Sequence, residues 1–157
     1  MNTHARMIAV GTIVGAGLFL SVGSWNQAAA TGSLSCNNRT VQGSYGENTS
    51  GFISPDGGVT QIPFTGMGLF KLDGKGGLTG SDTVSIGGTV FPRQFTGTYA
   101  VAPDCTGTIT FTDAYGNVGH NSATIVNGGD AAYLISTNPG DTISGTARRV
   151  GSFFFGN

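Results

Sequence analysis

Leu78-Thr79-Gly80-Ser81-Asp82-Thr83-Val84-Ser85-Ile86-Gly87-Gly88-Thr89-Val90-Phe91-Pro92-Arg93-Gln94-Phe95-Thr96-Gly97-Thr98-Tyr99-Ala100-Val101 reads as two β-strands joined by a two-residue turn. A Gly-Gly pair between runs of β-branched and aromatic residues is a strong hairpin signal, because both turn positions need a positive φ. If Gly87 and Gly88 are the whole loop, Ile86 pairs with Thr89 and the register sets Asp82 opposite Arg93. Alternation then places Phe91, Phe95, Gly97, Tyr99 and Val101 on one side of the second strand. Gln94, Thr96 and Thr98 fall on the other.

The same grammar repeats in both directions. Before the hairpin, strand-like runs cover Thr40 to Ile53, ending at Ser54-Pro55-Asp56-Gly57-Gly58, and Pro63 to Leu72, ending at Asp73-Gly74-Lys75-Gly76-Gly77. After it come Thr106 to Asp113, Val118 to Val126, Ala131 to Thr137 and Thr142 to Val150, each bounded by Gly, Pro, Asn or Asp. No apolar series after residue 31 holds the helical period, so no interior helix is expected. Short connections make successive strands neighbours. An open eight-stranded meander would leave two edges prone to aggregation, which closure removes. The fold expected is therefore all-β, a closed up-and-down antiparallel barrel of eight strands, with a β-sandwich as the alternative. Threonines at 106, 108, 110 and 112 oppose Gly107, Ile109 and Phe111, and Phe64, Gly66, Gly68, Phe70 and Leu72 oppose Thr65, Met67, Leu69 and Lys71. An aromatic and glycine interior with a threonine-rich exterior is the reverse of an outer-membrane barrel.

The first thirty residues do not share this pattern. Arg6 precedes an almost wholly apolar run from Met7 to Val22, and Ala28-Ala29-Ala30 follows. These are the three parts of a secretory signal peptide over 1–30, with cleavage near Thr31. The apolar run is short for a membrane span of about 20 residues. The remainder, 31–157, suits a single domain. Without Arg6 it holds six basic against eight acidic side chains, with no basic face for nucleic acid or anionic lipid. In an exported chain the two cysteines, Cys36 and Cys105, favour a disulfide over two free thiols. The expected location is secreted or periplasmic.

The run Phe95-Thr96-Gly97-Thr98-Tyr99-Ala100-Val101-Ala102-Pro103-Asp104-Cys105-Thr106-Gly107-Thr108-Ile109-Thr110-Phe111 resembles a pattern in secreted bacterial proteins. Those proteins open with a cysteine and a strand like Gly43-Ser44-Tyr45-Gly46. They close like Pro139-Gly140 and Ser144-Gly145-Thr146-Ala147-Arg148-Arg149. The group resembles in fold the allene-oxide-cyclase-like, calycin-type barrels. The resemblance implies a barrel and transfers no catalytic residue to this chain.

Few residues suggest chemistry. Continuing the register across the Ala102-Pro103-Asp104 turn brings Asp113 or its neighbour opposite Arg93, making an Asp82-Arg93-Asp113 cluster on the inner wall. Its functional reading is a ligand site, with Arg93 anchoring a carboxylate or carbonyl and the aspartates orienting it. Its plain reading is an internal ion pair that holds the register. Pro92 adds a complication, since a bulge there would turn Arg93 outward. His120 lacks companions for a metal site, and no serine has a nucleophile context. Asp73-Gly74-Lys75-Gly76-Gly77 is explained by a hairpin turn, because no helix follows to make it a phosphate loop.

These readings call for no metal and no cofactor. The leading functional expectation is an exported barrel, not an enzyme, that binds a small apolar molecule. A cyclase or isomerase is the second. A structural or surface-interaction protein using Phe153-Phe154-Phe155 is the third.

Overall fold

The computed structural model describes residues 35–151; the expected signal segment and the Phe153-Phe154-Phe155 run lie outside them. Eight antiparallel strands close into one barrel in chain order, which excludes the sandwich. They are β1 (Gly43–Ile53), β2 (Ile62–Leu72), β3 (Gly77–Ile86), β4 (Thr89–Val101), β5 (Thr106–Asp113), β6 (Val118–Val126), β7 (Ala131–Ser136) and β8 (Ser144–Arg149). The pairing of β1 with β8, from Tyr45 with Arg149 to Ser50 with Ser144, is the closing seam.

The central hairpin has the expected two-residue turn. Gly87 and Gly88 take φ of 56° and 89°, and Ile86 pairs with Thr89. Pro92 causes no bulge, since the β3–β4 register runs unbroken through Thr83 and Pro92. The reason lies in the neighbouring ladder. β5 leaves β4 at the Phe95–Asp113 pair, so Pro92 faces no strand on the side where its N–H would be needed. Beyond that point β4 runs on with β3 alone, and Phe91, expected inside, is 38% exposed at the rim.

One feature departs from the sequence reading. Asn38–Val41 forms a single 3-10 turn ahead of β1, so Thr40 and Val41, expected in the first strand, lie outside it. Asn37 caps it, accepting from Arg39 N–H, while its own N–H donates to the Thr40 hydroxyl. A second 3-10 turn, Asn127–Gly129, lies between β6 and β7. Both sit at the same end of the barrel. There the disulfide joins Cys36 to Cys105, Cys36 N–H donates to Pro103 carbonyl, and Val41 is buried as a plug.

The interior is filled unevenly. At the plugged end Tyr45, Phe70, Leu72, Leu78, Tyr99, Ile125, Leu134 and Ala147 are buried in one cluster, with Tyr45 stacked on Phe70 at 5.5 Å. Burying each such large side chain contributes about 1.5–3 kcal/mol. Further along the axis Phe95 and Phe111 pack at 5.4 Å. Their rings fill space that missing side chains leave: a Cβ on Gly80 would lie 2.5 Å from Phe95 Cζ, and one on Gly119 would overlap the Phe111 ring. Outward positions such as Thr79, Thr96, Thr98, Thr108 and Thr110 are exposed, so the faces are as alternation predicts.

Arg149 fastens the plugged end. Its Nε donates to Asp130 at 2.8 Å, its Nη2 donates to the carbonyls of Gly129 at 3.0 Å and Thr40 at 3.2 Å, and its Nη1 donates to the Gln42 carbonyl. The guanidinium also lies 5.0 Å from the Tyr45 ring centre, while Tyr45 Oη donates to Gly129 carbonyl. One side chain thus ties β8 to both 3-10 turns.

Candidate functional site

The other half of the barrel is hollow. A cavity of about 420 Å³ is bounded by Phe64, Phe70, Leu78, Phe95, Ile109, Phe111 and Leu134 from the wall. Ser54, Pro55, Asn117, Asn138 and Asp141 border it from the connecting loops at the unplugged end. The floor is the Tyr45–Phe70 layer, so the space is a cup with one end stopped by core residues. A volume of ~300–1,000 Å³ is typical of small-molecule sites.

The loops at that end are internally bonded. Asp141 accepts from Ser54 N–H at 3.0 Å and from Ser136 Oγ and Asn138 Nδ2, both at 3.2 Å. Asp56 accepts from the Thr60 hydroxyl and N–H and from the Ser54 hydroxyl, which holds its carboxyl down at about 2.

On one side of the cup the strands bring four charged side chains near each other. Asp82 and Arg93 pair across β3 and β4 as the hairpin register requires. The contact is bidentate: Arg93 Nε donates to Asp82 Oδ1 at 3.0 Å and Nη2 to Oδ2 at 2.6 Å. Asp113 joins on the other flank, with its Oδ2 3.7 Å from Arg93 Nη1. The expected cluster therefore forms, but with a corrected register, since Asp113 pairs with Phe95 and reaches Arg93 diagonally. A three-residue turn had been expected between β4 and β5. The connection instead spans five residues between the paired Val101 and Gly107, with Cys105 at φ 66° where it meets Cys36.

Asp113 is largely occupied by its own turn. It accepts from Tyr115 N–H, Asn117 N–H and Asn117 Nδ2 at 2.9–3.0 Å. Burial pushes its carboxyl up, but these hydrogen bonds and Arg93 outweigh that and hold it below the ordinary range. The ion pair of the plain reading therefore forms between Asp82 and Arg93, with Asp113 beside it. Arg93 nonetheless still borders the cup.

Glu47 is the residue that the sequence reading missed. It is the sole glutamate, it lies on the inward face of β1 with Tyr45 and Thr49, and it lines the cup. Its cross-strand neighbours are Gly68 on β2 and Ala147 on β8, so no charged group faces it from either adjacent strand. Gly68 in turn pairs with Asp82. A Cβ on Gly68 would lie 2.5 Å from Asp82 Cβ and 2.7 Å from Asp82 Cα, so the bare glycine lets the two carboxyls share one space. Burial pushes the Glu47 carboxyl up to about 7; Asp82 adds to the rise and Arg93 opposes it. No hydrogen bond reaches the Glu47 carboxyl among the described residues. The available signals were its parity with Tyr45 and the glycine on the adjoining strand.

His120 is exposed on the outer wall, its Nδ1 3.1 Å from Thr110 Oγ1. Among the described residues no three His, Cys, Asp or Glu side chains are arranged to hold a metal ion. Asp73 accepts from the N–H groups of Lys75, Gly76 and Gly77, so that loop is a hairpin turn. Among the described residues no helix is long and apolar enough to cross a membrane. No family model matches the chain, and neither does any curated protein or solved structure.

Proposed function

We propose that this protein is an exported barrel that binds one small, largely apolar molecule in its cup. The observation that carries the reading is the cavity of about 420 Å³, walled by phenylalanine, leucine and isoleucine and polar at one flank through Glu47, Asp82 and Arg93. Apolar walls with a few convergent polar groups are the usual make-up of a ligand site. The Cys36–Cys105 disulfide supports export, because such bonds persist in oxidising compartments. The closed eight-strand meander supports kinship in fold with the allene-oxide-cyclase-like, calycin-type barrels.

Native mass spectrometry of protein purified from its own host tests this. A small molecule bound one per chain, and displaced by excess decan-1-ol, is the expected result. A chain that flies at its bare mass, and that decan-1-ol does not shift on addition, would overturn the reading.

A second reading, a cyclase or isomerase, draws on Glu47. A carboxyl that exchanges its proton near neutrality beside an apolar cup suits proton transfer to or from a bound substrate. It requires turnover that disappears in Glu47→Gln. A structural role using Phe153-Phe154-Phe155 rests on residues outside those described.

A further inference from the structure

We propose that the cup takes molecules bearing a protonated amine on an apolar body, with the ammonium group seated against Glu47 beside Asp82. This rests on the ligand-binding reading and names the class of ligand that the site selects.

Charge is out of balance on the polar flank of the cup. One guanidinium, Arg93, stands among three carboxyl groups, those of Asp82, Asp113 and Glu47. Both oxygens of Asp82 receive Arg93 donors, and Asp113 is held by Tyr115 and Asn117. Glu47 has no comparable partner among the described residues. The residues directly opposite it on either side are only Gly68 and Ala147, and the charged groups that act on its carboxyl are Asp82 and Arg93. What this flank lacks is a second positive charge. An ammonium group would supply it while its apolar tail lies along Phe64, Ile109 and Leu134.

The same geometry disfavours a carboxylate ligand. The Arg93 fork that would receive one is already engaged by Asp82, and a ligand anion would sit beside Glu47 and Asp82 with like charge. An ammonium gains from both carboxyls in a setting where water screens little.

Three ten-carbon probes separate head from body: n-decylamine, decan-1-ol and decanoate, titrated calorimetrically at pH 8 below the micelle concentrations of the two ions and the solubility limit of the alcohol. Decylamine is expected to bind at least tenfold tighter than decan-1-ol, and decanoate weakest. Glu47→Gln, nearly isosteric, should remove most of the decylamine advantage, and a urea midpoint at pH 8 no lower than wild type shows that the variant is folded. Equal affinities, a preference for decanoate, or a decylamine advantage that survives Glu47→Gln would overturn the inference while leaving the cup as a binding site. Absence of binding by all three would overturn the ligand-binding reading itself.

Discussion

Glu47 sets the pH behaviour expected of the fold. Its carboxyl stands at about 7 against an ordinary 4.5, so the folded state holds the proton more tightly than the unfolded chain. The stabilisation from that proton is complete below about pH 4.5 and is lost as pH rises through about 7. Glu47→Gln removes the cost of ionisation. We expect it to raise unfolding free energy by about 1–3 kcal/mol at pH 8 and to change little at pH 4.5. Urea denaturation at the two pH values checks this, and an equal effect at both would show that burial is not what perturbs Glu47. Asp82 and Arg93 lend themselves to a double-mutant cycle. Both side chains are largely buried, at 8% and 15% exposure, so removing Arg93 alone should cost about 3–5 kcal/mol by stranding the Asp82 charge. The coupling between Asp82→Ala and Arg93→Ala should be about 1–3 kcal/mol, and additive effects would argue against a direct pair. This pair was legible in the sequence because a two-residue turn leaves the register no slack. Asp113 was legible only as a neighbour, because no residue announces that the β4–β5 connection holds five residues. Glu47 was not singled out, since its importance depends on Gly68 and Asp82, which are adjacent only once β1, β2 and β3 are paired.

At the level of strands, glycine marks where walls come close. Gly68 should tolerate no side chain, because an added Cβ meets Asp82 Cβ and Cα at 2.5 and 2.7 Å. Gly68→Ala is expected to destabilise by about 1–3 kcal/mol through strand displacement. Gly46→Ala on the facing strand, where the nearest atoms lie at 3.8 and 3.9 Å, should stay within about 0.5 kcal/mol of wild type. Thermal or urea unfolding of the two variants checks the contrast, and equal losses would contradict the pairing of β2 with β3. The plugged end depends on the Cys36–Cys105 bond across 69 positions. Replacing both cysteines with serine should lower stability by up to ~4 kcal/mol, seen as a shift in the urea midpoint. The strands themselves were readable because Gly, Asn, Asp and Pro punctuate each gap and alternation marks each face. The 3-10 turn at Asn38–Val41 was not, because Thr40 and Val41 carry β propensity that the Asn37 cap and the packing of Val41 override.

Over the whole molecule, the fold divides a barrel into a closely packed half, with a gap of only about 40 Å³, and an open half of about 420 Å³. Residues of similar kind line both, so whether phenylalanines fill a space or surround one depends on all eight strands together, and no single stretch discloses it. Tyr45, Phe70 and Tyr99 pack against the Val41 plug at one end, whereas Phe64, Ile109 and Phe111 stand around a void toward the other. Backbone amide NMR shifts during titration with decan-1-ol report on that void residue by residue. A filled cup gives saturable one-to-one shifts at Thr49, Phe64, Ile109, Asn121 and Leu134, with the plugged end around Val41 and Tyr99 unchanged. Shifts confined to exposed outer positions such as Met67, Leu69 and Tyr133, or none at all, would contradict it.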